Sequence, residues 1–177
     1  MKPIIVYTSK YGSTEKYANW LSEALQCPAK NLKSAKAKEF SAYDTVIYGG
    51  GIYAGRIAGF KKFISMLDRA RDIELVLFMV GLTNPADEKF YTEMAERNIP
   101  AEWKERFHVF PRRGDQLFSK MSGLHRLMMR MPKLMTEKVP EAKRTEDMNE
   151  FLANFGKDVI HTSKEQLEPL IQYLHDY

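Results

Sequence analysis

The sequence predicts an α/β fold: a parallel β-sheet with helices on both faces. Three observations lead there. Short apolar runs alternate with amphipathic stretches, the rhythm of βαβ units. The strongest run, Leu75–Val80, carries no charge, as a strand buried on both faces requires. The first apolar run passes directly into Thr8-Ser9-Lys10-Tyr11-Gly12-Ser13-Thr14 and then into a helical pattern, so small and hydroxylated residues crowd a strand–helix junction.

The elements follow in order. Pro3–Thr8 reads as a buried strand. Ser13–Leu25 reads as a helix with Tyr17, Trp20, Leu21 and Ala24 on one face. Ala29–Leu32 suits a short strand and Thr45–Tyr48 a second strong one, followed by a glycine-rich loop over Gly49–Arg56. Ala58–Ala70 has the spacing of a helix carrying Phe60, Phe63, Ile64 and Leu67. Glu74–Val80 is the third strong strand, and Gly81–Pro85 leaves its end. Ala86–Asn98 reads as a helix with Pro85 at its start. Phe107–Phe110 is a short strand. Glu146–Ile160 and Lys164–His175 read as late helices, the second kinked or broken at Pro169.

The totals set bounds. A chain of 177 residues suits one domain with a sizeable core. The 27 basic and 23 acidic residues leave a net charge of +4. Seven basic residues lie between Arg112 and Lys138 against two acidic ones, so this segment alone carries +5. The basic character is local and faces an anionic partner; no nucleic-acid partner is expected. Cys27 is the only cysteine, which excludes an intrachain disulfide and fits a reducing compartment. The N-terminus turns polar too soon for a signal peptide. The longest clean apolar run, Leu75–Leu82, falls far short of the roughly 20 residues of a membrane span. The expected location is cytoplasmic, at most peripheral on the inner face of a membrane.

In a parallel sheet, ligands sit beyond the carboxyl ends of the strands where the strand order switches. Thr8–Thr14, Gly49–Arg56 and Gly81–Pro85 all leave such ends, so one ligand can touch all three. The first has the chemistry for a phosphate. A helix N-terminus offers free N–H groups and a positive dipole end. Ser9, Ser13 and Thr14 add hydroxyls, Lys10 a charge, and Gly12 a close backbone approach. The same residues also suit plain helix capping.

Ile5-Val6-Tyr7-Thr8-Ser9-Lys10-Tyr11-Gly12-Ser13-Thr14-Glu15-Lys16-Tyr17-Ala18 resembles the flavodoxin signature, with Ile5, Val6, Tyr7, Ser9, Gly12, Thr14 and Ala18 at its constrained places. The stretch from Tyr43 through Ile64, and Gly81-Leu82-Thr83-Asn84-Pro85, resemble a flavodoxin subgroup, the menaquinone-dependent protoporphyrinogen oxidases. The resemblance implies a flavodoxin-like doubly wound parallel sheet of five strands in the order 2-1-3-4-5, as one domain over residues 1–177. It implies non-covalent FMN. Ser9, Lys10, Tyr11, Gly12, Ser13 and Thr14 would hold the phosphate. Gly51, Ile52, Tyr53, Ala54 and Gly55 would border the flavin ring, and Leu82 and Thr83 would form a third wall. Tyr53 stacks on the ring in this reading or packs as a loop aromatic in the other; the oxidase pattern has its aromatic one place later, at Ala54. Arg56 takes a basic position that faces substrate. Thr83 and Asn84 also suit an ordinary turn before Pro85. Response-regulator receivers share this strand order, but Thr8, Ser9 and Gly49 stand where they need acidic groups.

Residues 112–140 form a basic, methionine-rich insert. Leu117, Met121, Leu124, Met128, Met131 and Met135 repeat at helical spacing, with Lys120, Arg126, Arg130 and Lys133 as a basic side and Pro132 as a kink or stop near Met131. Such a helix can pack on the domain, associate with a second copy, cover a flat apolar substrate or lie on an anionic membrane. Arg126, Met128, Arg130 and Lys133 are its candidate contacts. The four histidines show no metal-ligand spacing, Cys27 reads as a buried small residue, and no catalytic side chain stands out. The resemblance implies an FMN-dependent oxidase passing electrons from a porphyrinogen to a membrane quinone, in heme biosynthesis. The alternative is a flavodoxin-type electron carrier that docks protein partners. A domain without flavin, binding a partner through its methionine face, is the third reading.

Overall fold

The computed structural model describes residues 1–68 and 72–176. Five parallel strands form the sheet: β1 (Pro3–Thr8), β2 (Ala29–Asn31), β3 (Thr45–Tyr53), β5 (Glu74–Gly81) and β6 (Phe107–Arg113), in the order β2-β1-β3-β5-β6. The expected order, 2-1-3-4-5, is this one. A two-residue strand, β4 (Arg56–Ile57), turns back antiparallel on the end of β3. The sheet alternates with period two. Ile4, Val6, Val46, Tyr48, Leu75, Leu77 and Met79 face one layer, with Phe60 and Phe63 of α2 (Phe60–Ile64) and Tyr91 and Met94 of α3 (Glu88–Asn98). Ile5, Tyr7, Ile47, Val76, Phe78 and Val80 face the other, with Tyr17 and Leu21 of α1 (Ser13–Leu25) and Leu170 and Leu174 of α6 (Glu168–Asp176). β1, β3 and β5 are apolar on both sides because helices cover both.

Several elements differ from expectation. β3 runs on through Gly49, Gly50 and Gly51 to Tyr53. These glycines serve packing: a Cβ at Gly49 would sit 2.1 Å from the Phe78 ring, and one at Gly50 would sit 2.4 Å from Ile57. The helix expected over Ala58–Ala70 is Phe60–Ile64; Ala70 lies outside the described residues. α3 starts at Glu88 with Asp87 as its cap, because the Asp87 carboxylate accepts from Phe90 N–H, and this leaves Pro85 in the preceding loop. The helix expected over Lys164–His175 is divided just before Pro169: a 3-10 turn spans Glu165–Leu167 and α6 begins at Glu168, so Pro169 sits in its first turn, where a missing N–H costs little. The late helix is α5 (Glu146–Ala153). It ends before Gly156, whose φ of +85° favours a residue without a side chain, and the chain continues into β8 (Asp158–Val159), paired with β7 (Gln116–Leu117).

The insert also begins later than expected. Arg112 and Arg113 belong to β6, and Arg112 is buried. The helix α4 (Gly123–Glu137) starts behind the cap Ser122, so Leu117 and Met121 lie outside it. Pro132 lies inside α4, and the helix continues through it. No residue of α4 is fully buried. Six of the eight large apolar side chains exposed among the described residues sit on this helix: Leu124, Leu127, Met128, Met131, Leu134 and Met135, at 41 to 66 % exposure. No helix among the described residues is long and apolar enough to cross a membrane.

Candidate functional site

The chain reverses its winding direction after β2, so β1 and β3 become neighbours at the switch point, where open α/β sheets take their ligands. β1, β3, β5 and β6 all end on this edge, and α4 crosses over it. A cavity of about 220 Å³ lies between.

The first wall is the turn into α1. Gly12 is the cap residue, at φ +100°, a conformation that favours glycine, and no side chain caps the helix. Ser13 and Thr14 are the first residues of the helix itself. The amides of its first turn therefore have no capping side chain, unlike those of α3, α4 and α5. The Ser9 hydroxyl accepts from Gly12 N–H at 3.1 Å and shapes the turn. The Ser13 hydroxyl accepts from Asp115 N–H at 3.0 Å. The Thr14 hydroxyl makes no hydrogen bond among the described residues, although Thr14 lines the cavity. Open amides, a free hydroxyl and a positive dipole end suit a phosphate dianion.

The second wall is Gly51-Ile52-Tyr53-Ala54. The reversal into β4 places Ala54 at φ +48° and Gly55 at φ +72°. Asn98 of α3 clamps this hairpin, donating to the Gly55 carbonyl at 3.1 Å and accepting from Ile57 N–H at 3.0 Å. The third wall is Val80-Gly81-Leu82. Tyr91 holds the loop behind it by donating to the Thr83 carbonyl at 2.8 Å. Gly114 N–H donates to the Gly81 carbonyl at 2.7 Å, which brings the end of β6 into the site.

Asp115 locks this edge. Its carboxylate accepts from Lys16 at 2.8 Å and from the backbone N–H groups of His161 and Thr162 at 2.9 and 2.8 Å. Burial alone would raise its pKa; the bonds from Lys16, Thr162 and His161 outweigh this and hold it below the usual carboxylate range.

The roof is α4. His125 touches the first two walls. Its Nδ1 lies 2.6 Å from the Tyr11 hydroxyl and its Nε2 lies 3.1 Å from Lys10 Nζ. An ammonium only donates, so Nε2 accepts and Nδ1–H donates to Tyr11: the imidazole is neutral. Burial first, and the Lys10 charge second, hold its pKa below the ordinary histidine value. The ring also stacks on Tyr53 at 5.6 Å and 25°, while Tyr11 meets Tyr53 edge-on at 5.9 Å.

Of the residues singled out in the sequence, Tyr11, Ser13, Thr14, Gly51, Ile52, Tyr53, Ala54, Leu82, Met121 and Met128 line the cavity. Ser9 and Gly12 shape the turn beneath it, and Lys10 reaches its rim through His125. Gly55 lies behind the wall, and Thr83 lines a neighbouring cavity. Arg56 is exposed on β4. Arg126 bonds the Phe118 and Ser119 carbonyls, Lys133 lies over the Phe155 ring, and Arg130 is exposed. Sequence reasoning missed Gly114 and Asp115, which the strand-end rule would have found had it been applied to the fifth strand. It also missed His125, Met129 and Pro132 as wall residues, for which the sequence carries no signal. Burial pushes the Cys27 thiol up to about 11, consistent with an inert core residue.

The family model for a flavodoxin domain matches residues 4–143, most of the chain. The chain belongs to the flavodoxin-domain family. This flavodoxin-like protein is therefore a flavoprotein, and FMN is its cofactor. A search of curated proteins finds no match. Among solved structures, a flavodoxin from the domain Archaea is 13 % identical, over 64 % of this chain and 85 % of that one, with a TM-score of 0.46. Flavodoxin 2 from Bacillus cereus is 19 % identical, over 63 % and 84 %, with a TM-score of 0.43. The rubredoxin oxygen:oxidoreductase from Desulfovibrio gigas is 17 % identical, over 99 % of this chain and 36 % of that one, with a TM-score of 0.46. The open amides at the start of α1 fit the phosphate of FMN, and the cavity between the second and third walls fits a flat ring.

Proposed function

We propose that this flavoprotein is an FMN-dependent oxidoreductase for a small molecule, similar to menaquinone-dependent protoporphyrinogen oxidase, working at a membrane surface. The observation that carries the reading is the roof. α4 closes over the cavity with His125, Met128, Met129 and Pro132, and presents an exposed apolar stripe elsewhere. Such a roof makes an apolar compartment above a flavin ring.

FMN, when bound, supplies the electron-accepting and electron-donating ring, and the protein supplies placement and surroundings. In this reading the first-turn amides of α1, with the Thr14 hydroxyl and Lys10, hold the phosphate. Gly51–Ala54 and Gly81–Leu82 hold the ring edges. Lys10, Arg126 and Arg130 place positive charge near the roof, where the carboxylates of a porphyrinogen would meet it. Leu124, Leu127, Met131, Leu134 and Met135 sink into the apolar boundary of an anionic membrane, from which a quinone arrives. The test is anaerobic mixing of the FMN-loaded protein with protoporphyrinogen. Bleaching of the flavin absorption supports the oxidase; a flavin that stays oxidised excludes it.

A second reading is equally supported: a flavodoxin-type electron carrier. The family match favours it, and a redox partner protein can cover the same stripe on α4. A flavin inert to porphyrinogen but rapidly reduced by a reductase protein would select it.

A further inference from the structure

Among the described residues, Arg112 near the end of β6 is the only buried basic side chain, at 4 % exposure. Its guanidinium lies over the Phe110 ring at 5.6 Å. Nη1 donates to the Pro111 carbonyl at 2.6 Å. Nε and Nη2 are buried without a hydrogen-bond partner, and no carboxylate pairs with the group among the described residues. The next residue, Arg113, points to the other side of the strand and is paired with Glu150 at 2.7 Å. Burial pulls the Arg112 pKa down to about 10, with Tyr17 and Tyr91 opposing the shift, so the group stays charged at neutral pH. Taking a lone guanidinium out of water is costly, and buried arginines ordinarily meet an anion.

The position of Arg112 points to the anion. It pairs in register with Val80, which lines the cavity. It shares a face with Phe110, which packs in the layer of α1 and α6. Tyr17, one turn along α1 from Ser13, donates to the Arg113 carbonyl at 2.7 Å. A Cβ at Gly114 would sit 3.4 Å from that of Ser13. The lone charge therefore lies in the dry layer that backs the first wall, and it does not itself line the cavity.

The other charges around the first turn of α1 cancel. Lys16 is engaged by Asp115 at 2.8 Å. Exposed Lys10 is offset by Glu15 in the first turn of the helix. Arg112 is left as the surplus. A charge in a dry layer acts over a longer range than Lys10, which water and salt screen.

We propose that Arg112 is the buried counter-charge for the phosphate of FMN, acting through its field without contact and making the site prefer the phosphorylated flavin over riboflavin. Arg112 is thus a specificity-determining residue and not a catalytic one. The proposal rests on the reading that the first turn of α1 holds the phosphate.

The experiment strips flavin from the full chain and titrates it with FMN and with riboflavin, the same ring without the phosphate, following flavin fluorescence. Arg112→Met should weaken FMN by at least about fivefold and riboflavin by less than about twofold. Flavin-free Arg112→Met should melt no lower than the unaltered protein, because an unpaired buried charge has been removed, while its rise in Tm with FMN should be smaller. Should Arg112→Met fail to fold, Arg112→Gln removes the charge, keeps a polar end, and should give the same split between the two flavins. Equal weakening of FMN and riboflavin, or no weakening of either, overturns the proposal. The Thr14→Val, Ser9→Ala protein, titrated alongside, separates the two readings. If it loses FMN affinity while Arg112→Met keeps the unaltered preference, only the role of Arg112 falls. If neither variant changes the preference for FMN over riboflavin, the phosphate does not lie at α1 and both readings fall.

Discussion

Gly49 in the sheet and Thr14 with Ser9 at the site show how much depends on single atoms. Gly49 is glycine because the Phe78 ring fills the space of its Cβ. Gly49→Ala should destabilise the fold by about 1–3 kcal/mol through overpacking, read as a lower denaturation midpoint with an unchanged m-value. Thr14 carries the free hydroxyl at the start of α1, and Ser9 props the turn. The double variant Thr14→Val, Ser9→Ala should weaken FMN binding by about 1–3 kcal/mol, measured by flavin fluorescence. Unchanged affinity would remove the phosphate from this loop. The residues that read most clearly in the sequence were those whose chemistry is local: a hydroxyl-rich turn after a strand needs no partner to be recognised. Gly49 and Gly50 misled because glycine relieves crowding as well as strain: they continue β3, and the crowding comes from the Phe78 ring on the neighbouring strand and from Ile57 of β4.

At the scale of the element, α4 packs beside α5, with Lys133 over the Phe155 ring, and its first turn meets the loop after β1 through His125. Its pKa is lowered when it sits against Lys10 and Tyr11, so the docked helix binds fewer protons than the released one. Docking is therefore favoured above about pH 6.5, the ordinary histidine value, and weakens as the pH falls below it. Protonation also places an N–H opposite the Lys10 ammonium. Hydrogen exchange of residues 123–137, corrected for intrinsic rates, should show greater opening at pH 5 than at pH 8; in His125→Gln that difference should disappear. The outer stripe gives a separate expectation. Replacing Arg126, Arg130 and Lys133 with glutamine should reduce binding to anionic vesicles and make the remainder less sensitive to salt; vesicle flotation measures both. The periodicity of this segment was legible in the sequence, but its orientation was not. An amphipathic pattern marks an apolar face without saying what covers it, and here Leu124, Leu127, Met131, Leu134 and Met135 stay uncovered.

The molecule as a whole is a sheet covered by helices on both faces, carrying a site assembled from segments far apart in the chain. The sheet order was legible because buried parallel strands are read from uncharged runs and their spacing. The site was legible where it stands on strand ends, and illegible where Asp115 and α4 complete it through long-range contacts. Because FMN binds the folded chain, it should stabilise it by about 2.7 kcal/mol at a hundredfold excess over Kd, seen as a concentration-dependent rise in Tm. Asp115 has one more consequence. Its backbone meets Ser13, and its carboxylate is shared between Lys16 near the amino terminus and the amides of His161 and Thr162 near the carboxyl terminus. During synthesis this edge of the candidate site stays unlocked until Thr162 has left the ribosome, so a nascent chain stalled before residue 160 should emerge colourless.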